Sequence, residues 1–267
     1  MSPESIIDTT KPNAGRMYDY YLGGSHNFDV DRQAAEQMLK LFPFIRQATR
    51  LQRWTLQDLA VELTTHRGYE VIIDFASGLP TNDHLHYKVP PGTMVIYSDY
   101  DPVVVEYAHQ ILGHTPNVYF FNADVHQPEE LLQRDEVQRL GGNKRRVAFV
   151  TWEISVFISD AEWRHAAQAL YEWAAPGSCW AFNAQGAEIN TAHPAVIQGI
   201  KIYEQMGTPV YPRTLREYEE LLKSWQTDAM GFVSLLEWHG FDQSELGIED
   251  AAALGPLGSD FGAYLIK

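Results

Sequence analysis

Apolar positions fall into two kinds of run along this chain. Before residue 66 they recur at helical spacing. Ala34, Ala35, Met38, Leu39 and Leu41 make one stripe, and Trp54, Leu56, Leu59, Ala60 and Leu63 continue it after a break near Pro43. A shorter aromatic stretch, Asn13–Leu22, precedes them and stops at Gly23-Gly24. From residue 71 the runs become short and solidly apolar. Val71–Phe75, Met94–Tyr97, Val118–Phe121, Val147–Val150 and Ser178–Phe182 read as buried strands, with helices predicted at 103–112, 128–140 and 160–174. Strands that are apolar at nearly every position, separated by helices, predict a largely parallel sheet covered on both faces. Two late runs, Phe232–Trp238 and Phe261–Ile266, have no helical pattern between them and predict an antiparallel pair at the sheet edge. Further helices are predicted near 192–206 and 214–225. Residues 1–267 therefore read as a single domain. It has a disordered arm over 1–12, a helical cap over 1–66, seven strands, and a lid-like insertion over 184–229.

Composition narrows the function. Apolar residues make up 45% and charged residues 21%, as in a folded globular protein. The formal net charge of −15 disfavours binding to nucleic acid or to an anionic membrane. A lone cysteine, Cys179, excludes an internal disulfide and a multi-cysteine zinc site, and its apolar neighbours predict a packing role. There is no signal peptide and no apolar run of about 18 residues, so a cytoplasmic location is expected.

Ligands of open parallel sheets sit at the carboxyl ends of the strands, and three features fall there. The first strand runs into Asp74-Phe-Ala-Ser-Gly78-Leu-Pro-Thr81, where Gly78 lets the backbone approach a ligand. Ala76 stands where a dinucleotide fingerprint would carry glycine, which disfavours an NAD-dependent oxidoreductase. Asp99 ends the second strand, at the spacing from Gly78 that lets a carboxylate accept from both hydroxyls of a ribose. Asp101 beside it doubles as a helix start with Pro102. Asp124, after the third strand, either caps a helix or accepts from an adenine amino group. Each feature alone has a plain structural reading, and together they describe a nucleoside-type pocket.

These residues also carry a family resemblance. Ile7–Pro12, Ala14–Tyr20, Leu22–Phe28, Gly78-Leu-Pro-Thr81 and Val95–Val103 resemble the actinobacterial "S-adenosyl methyltransferase" family, within the class I methyltransferases. The likeness runs over about 7–183. It implies a Rossmann-like α/β fold with a mostly parallel sheet, and S-adenosyl-L-methionine as cofactor. Carried over residue by residue, Asp74, Ala76 and Gly78 match the cofactor loop. Asp99, followed by Tyr100, matches the ribose carboxylate, and Asp124 the adenine-side acid. Tyr18, Tyr21, Gly24 and Asn27 would line or cover the methionine end.

Besides Phe75-Ala-Ser77, which replaces a small Gly-containing run and narrows the cofactor turn, two blocks depart from the family pattern, Thr151–Phe157 with Glu153, and Asn82–Tyr87 with His84 and His86. Both fall on the catalytic face. Methyl transfer is an in-line displacement that needs positioning and exclusion of water. A base within reach helps oxygen or amine acceptors. Glu153, His84, His86, Tyr18 and Tyr21 are the candidates, with Glu153 first. His84 and His86 stand two apart and do not share a helix face, so no metal site is expected. The aromatic content suits an aromatic substrate, and Arg213 and Arg216 are available for a substrate carboxylate or are plain solvated charges. The expected activity is methyl transfer to an O, N or C atom of a small molecule. Transfer or cyclisation of the aminocarboxypropyl arm, releasing methylthioadenosine, remains open, as does a non-catalytic cofactor-binding role. The aromatic N-terminal helices could equally form a homodimer interface.

Overall fold

The computed structural model of the chain describes residues 10–81, 83–140, 146–240 and 259–267. Most of the predicted arm, and Asn82, lie outside these residues. Three helices open the chain: α1 (Ala14–Tyr21), α2 (Asp29–Leu41) and α3 (Ile45–Val61). Next come β1 (Val71–Phe75), β2 (Met94–Asp99), α4 (Pro102–Leu112), β3 (Val118–Asn122), α5 (Pro128–Leu132), α6 (Asp135–Leu140), β4 (Ala148–Thr151) and α7 (Asp160–Trp173). The chain continues through β5 (Cys179–Ala187), α8 (Pro194–Gln205), α9 (Leu215–Leu221), β6 (Gln226–Thr227), β7 (Val233–Ser234), α10 (Leu235–Trp238) and β8 (Ser259–Ile266).

The strands form one sheet in the order β3-β2-β1-β4-β5-β8-β6, with β7 also pairing β8. The first five are parallel. The strand order reverses between β1 and β4, and that crevice is where such sheets take their ligands. Every residue of β1 is buried because both faces are covered. Ile73, Phe149 and Trp180 pack towards Trp163 of α7, while Ile72, Val95 and Val150 pack towards Leu59 of α3 and Val104 of α4. Cys179 is fully buried, and burial pushes its thiol up to about 12, so it stays protonated as a packing residue.

The two late runs pair antiparallel as expected, β7 with β8 through Val233↔Gly262 and Ser234↔Phe261, but the pair is short and β8 is not the sheet edge. The long antiparallel partner of β8 is β5, and β8 lies inside the sheet, giving eight strands among the described residues. Phe232–Trp238 holds only the two residues of β7 before Ser234 accepts from the Glu237 N–H (3.3 Å) and starts α10. That turn of helix lays Trp238 against Tyr264 and Trp152, with ring centroids 4.6 and 5.5 Å apart. The predicted helix over 128–140 is two short helices. Residues 184–229 divide. The first four extend β5, and α9 enters the main core through Tyr218 and Leu221. α8 packs on α2 through a third cluster with Met38, Phe42 and Val196. No described helix is long and apolar enough to cross a membrane.

Candidate active site

A cavity of about 1070 Å³ opens at the carboxyl ends of β1 to β4, beneath α1 and α3. It is large enough for a nucleoside cofactor and a second small molecule together. At one end the loop after β1 turns through two left-handed residues, Ala76 (φ 53°) and Gly78 (φ 61°). Glycine adopts this freely; Ala76 is strained in it, a cost of about 1–3 kcal/mol. The turn is held by Ser77, whose N–H donates to the Ser98 carbonyl (2.8 Å). It aims the Gly78 N–H at Asp99 Oδ2 (3.0 Å), while the Asp101 N–H donates to Asp99 Oδ1 (2.9 Å). Each Asp99 oxygen is thereby oriented and keeps lone pairs for further donors. Burial raises this carboxyl to about 6, against those two stabilising N–H groups.

Asp101 serves a different purpose. It caps α4 by accepting from the Val103 N–H (2.8 Å), and it accepts from Asn13 Nδ2 (3.2 Å). Arg16 Nη1 lies 3.8 Å away and carries the tie into a buried pair with Asp31 (2.8 Å). Asp101 thus fastens the helical cap to the sheet. Asp124 accepts from the His126 N–H (3.0 Å) and faces His126 Nδ1 at 2.5 Å. This pairing holds Asp124 below the usual carboxylate range and raises His126, whose Nε2 also approaches Glu162 at 3.7 Å. Tyr100 stands exposed at this mouth.

Towards β4 the wall changes character. Asp74 is almost fully buried, and desolvation lifts it to about 8 despite Arg53 nearby. The Arg53 guanidinium, also buried, lies over the Tyr18 ring at 5.3 Å. Its Nη2 reaches the Leu79 carbonyl at 3.4 Å and its Nε has no partner. Glu153 follows β4 with φ 62°, its N–H donating to Asn183 Oδ1 (3.3 Å). Both its carboxylate oxygens are shut off from solvent without a hydrogen-bond partner. Burial first, and then Asp260, raise this carboxyl well above its ordinary value, and Arg53 opposes them. Burial also raises the phenols of Tyr18 and Tyr21, so both stay protonated as donors rather than bases.

The family model described as "S-adenosyl methyltransferase" matches residues 1–257. The chain belongs to this family. It is an S-adenosyl-L-methionine-dependent methyltransferase. A putative methyltransferase from Thermobifida fusca YX is similar to it at 26% identity, over 100% of this chain and 99% of that one, with a TM-score of 0.84. A DUF574 family protein from Streptomyces avermitilis MA-4680 is similar at 26% identity over 97% and 99%, with a TM-score of 0.85. The plantazolicin methyltransferase BamL shares the fold at 10% identity over 95% and 96%, with a TM-score of 0.53. Among curated proteins none matches the chain.

The methyltransferase fits its cofactor at the points the geometry exposes. A pinned carboxylate, Asp99, faces the cavity beside an N–H-bearing turn, and nothing crowds the side of Gly78 where a Cβ would stand. Asp74, Ala76, Gly78, Asp99, Tyr100, Asp124, Gly24, Tyr18, Tyr21 and Glu153 all line the same cavity. Asn27 does not. Its Nδ2 donates to Asp19 Oδ2 (2.8 Å) and its Oδ1 accepts from Arg32 (2.9 Å), so it braces the loop between α1 and α2.

His84 reaches the cavity but cannot act as a base there. Its Nδ1 faces the Leu85 N–H and the Tyr97 hydroxyl, each at 3.0 Å. That leaves the proton on Nε2, which donates to the Ser77 carbonyl (3.1 Å). With both nitrogens engaged and burial lowering its basicity, His84 clamps the cofactor loop. His86 turns its Nδ1 to the Tyr97 hydroxyl (3.0 Å) and does not line the cavity. Arg213, offered above to a substrate carboxylate, is turned inward. It binds Asp160 (2.8 Å) and the Ser155 and Ile158 carbonyls (3.1 and 2.6 Å). Arg216 is exposed away from the cavity.

Sequence reading missed Arg53, Asp19 and Gln185, which also line the cavity. A signal for Arg53 exists. Thr49, Gln52 and Arg53 are buried polar residues that continue the stripe of Leu56, Leu59 and Ala60 on α3. Polar residues in an apolar stripe mark a face that meets a cavity rather than a core.

Proposed function

We propose that the methyltransferase acts on a small molecule held between Glu153 and the aromatic wall formed by Tyr18, Phe157, Tyr203 and Tyr211. The observation that carries this reading is the continuity of one cavity from Asp99 and Asp124 to Glu153. When bound, the cofactor supplies a methyl group on a cationic sulfur. Asp99 accepts from the ribose hydroxyls, Asp124 lies on the adenine side with its free oxygen, and Arg53 donates to the methionine carboxylate. Tyr18 and Tyr21 close the cavity from the cap and exclude water, and Glu153 takes the acceptor's proton. Named small-molecule methyltransferases share the fold, among them BamL and the mitomycin 7-O-methyltransferase MmcR (11% identity, TM-score 0.53), and they lend support to a small acceptor. A cytoplasmic location accords with the free, buried Cys179.

Titration calorimetry with S-adenosylhomocysteine and methylthioadenosine tests the reading. S-adenosylhomocysteine is expected to bind more tightly, and Asp99→Ala is expected to weaken both by about 100-fold, through loss of two charge-assisted hydrogen bonds. Failure of the wild type to bind S-adenosylhomocysteine overturns the site. Tighter binding of methylthioadenosine, with its release on turnover, points to transfer of the aminocarboxypropyl arm.

A further inference from the structure

The end of the cavity beyond the cofactor contains acceptor atoms that nothing in the protein satisfies. Glu153 Oε1 and Oε2, and Gln185 Oε1, are all shut off from solvent without a partner, and both residues line the cavity. Each such atom costs about 1–3 kcal/mol, and native proteins keep few of them without a reason. The backbone that carries both side chains is held in place. Glu153 is a non-glycine residue in the left-handed region, held by Asn183, and the Gln185 N–H donates to Ser155 Oγ (2.8 Å). Strain of this kind persists where the surrounding structure enforces it, commonly at functional sites.

The charges around Glu153 point the same way. Asp260, whose charge acts on Glu153, accepts from Gln52 Nε2 and the Gly186 N–H (2.6 Å each). Asp83 and Asp260 join Glu153 in acting on the Tyr18 phenol, and Arg53 is the one cation acting there. Acids therefore outnumber cations at this end. Arg53 itself reaches back to the Leu79 carbonyl on the cofactor loop. The rest of the wall includes aromatic rings, with Phe157 and Tyr203 5.3 Å apart and Trp152 also lining the cavity.

We infer that the acceptor is an amine, presented as an ammonium group to Glu153 and Gln185 by a small molecule with an aromatic or apolar body. This inference rests on the methyltransferase reading above. An ammonium has donors and no acceptor, so as it displaces the Glu153 proton it meets three acceptors, the two Glu153 oxygens and Gln185 Oε1. It also suits the aromatic faces, and its positive charge favours ionisation of the Glu153 carboxyl. A hydroxyl brings no charge to offset ionisation of the buried Glu153, and a carboxylate would be repelled by it. The orphan donors Arg53 Nε and Trp152 Nε1 are left for acceptor atoms of either ligand. In the reaction the ammonium gives one proton to the Glu153 carboxylate. The freed nitrogen lone pair forms the new N–C bond as the C–S bond breaks, and that electron pair passes to sulfur. Products are the methylated ammonium and neutral sulfide, and Glu153 later returns its proton to solvent.

The test is calorimetry on the full chain saturated with S-adenosylhomocysteine. The probes are 2-phenylethylamine and tryptamine against their alcohol and acid counterparts, 2-phenylethanol, tryptophol, phenylacetate and indole-3-acetate. At least one amine is expected to bind about 10-fold or more tightly than its alcohol, with the acids weakest. Runs at pH 7 in phosphate and in Tris should show about one proton released per amine bound, because an ammonium displaces the proton held by the buried Glu153. Glu153→Gln is expected to abolish both the preference and the release while still binding S-adenosylhomocysteine. Preference for alcohol or acid, absence of binding by every probe, amine binding without proton release, or a preference surviving in Glu153→Gln would each overturn the inference. The wild-type arm decides even if the variant does not fold. Loss of S-adenosylhomocysteine binding by the wild type sinks the methyltransferase reading instead.

Discussion

The two ends of the cavity are built on opposite plans. Around Asp99 every oriented group has a partner: two backbone N–H groups pin the carboxylate, His84 clamps the loop, and Asp101 ties the cap to the sheet. Around Glu153 the acceptors are unpaired, the backbone is strained and the charges are unbalanced. The first plan suits a ligand that never changes, because preorganised donors and acceptors cost nothing to rearrange on binding. The second suits a ligand that supplies the missing partners, so that only the right molecule relieves the buried polar atoms. Specificity in this family member should therefore reside at the end of β4 and in β5, and cofactor affinity at the ends of β1 and β2.

The sharpest way to break the comparison is Glu153→Gln. Turnover is expected to fall by about 1000-fold, as for loss of a general base, with S-adenosylhomocysteine affinity changed less than about twofold. Equal losses in both would show that the two ends are not separate.

Asp74 separates them by pH. Its carboxyl is at about 8 in the folded chain against 3.8 for an unperturbed group, so the folded state holds a proton that the unfolded state has released between those values. Stability from this group is complete below about pH 4 and declines as pH rises towards 8, by up to about 1.4 kcal/mol per pH unit. Denaturant melts of wild type and Asp74→Asn between pH 5 and 8 should show a falling stability in the first and a flatter one in the second.

Gly24→Ala probes the cap. A Cβ there would lie 2.0 Å from Asp19 Oδ1, whose partner oxygen already holds the His26 N–H and Asn27, so the loop must shift. A loss of about 2 kcal/mol in thermal unfolding is expected. Gly78→Ala should cost only about 1 kcal/mol, since φ of 61° rather than crowding opposes it.

A last variant sharpens the border between the ends. Arg53→Met should weaken S-adenosylhomocysteine by about 10-fold and leave methylthioadenosine unchanged, because only the former carries the carboxylate that Arg53 would bind. Calorimetry with both ligands checks it, and methylthioadenosine serves as the control for folding.

Much of the conserved-ligand end was legible along the chain, because it is made of strand ends and the turns that follow them. Solid apolar runs predict buried parallel strands wherever helices alternate with them. A residue that ends such a strand is delivered to the carboxyl edge by connectivity alone, which is how Asp74, Gly78, Asp99, Asp124 and Glu153 come to share one cavity. The N-terminal and Gly78–Val103 blocks carried the family as well. What only the tertiary structure decided depends on partners remote in sequence. Arg53 enters the cavity because α3 crosses above β1, and Gln52 meets Asp260 across 208 positions. Arg213 turns inward because Asp160 and two carbonyls await it, and His84 is spent on Tyr97 and Ser77. Phe232–Trp238 abandons its strand because Trp238 finds two aromatic neighbours. Local pattern sets which elements form and where their ends fall. Whether a polar side chain is paired, buried or left waiting depends on which distant groups the packing brings within about 3 Å.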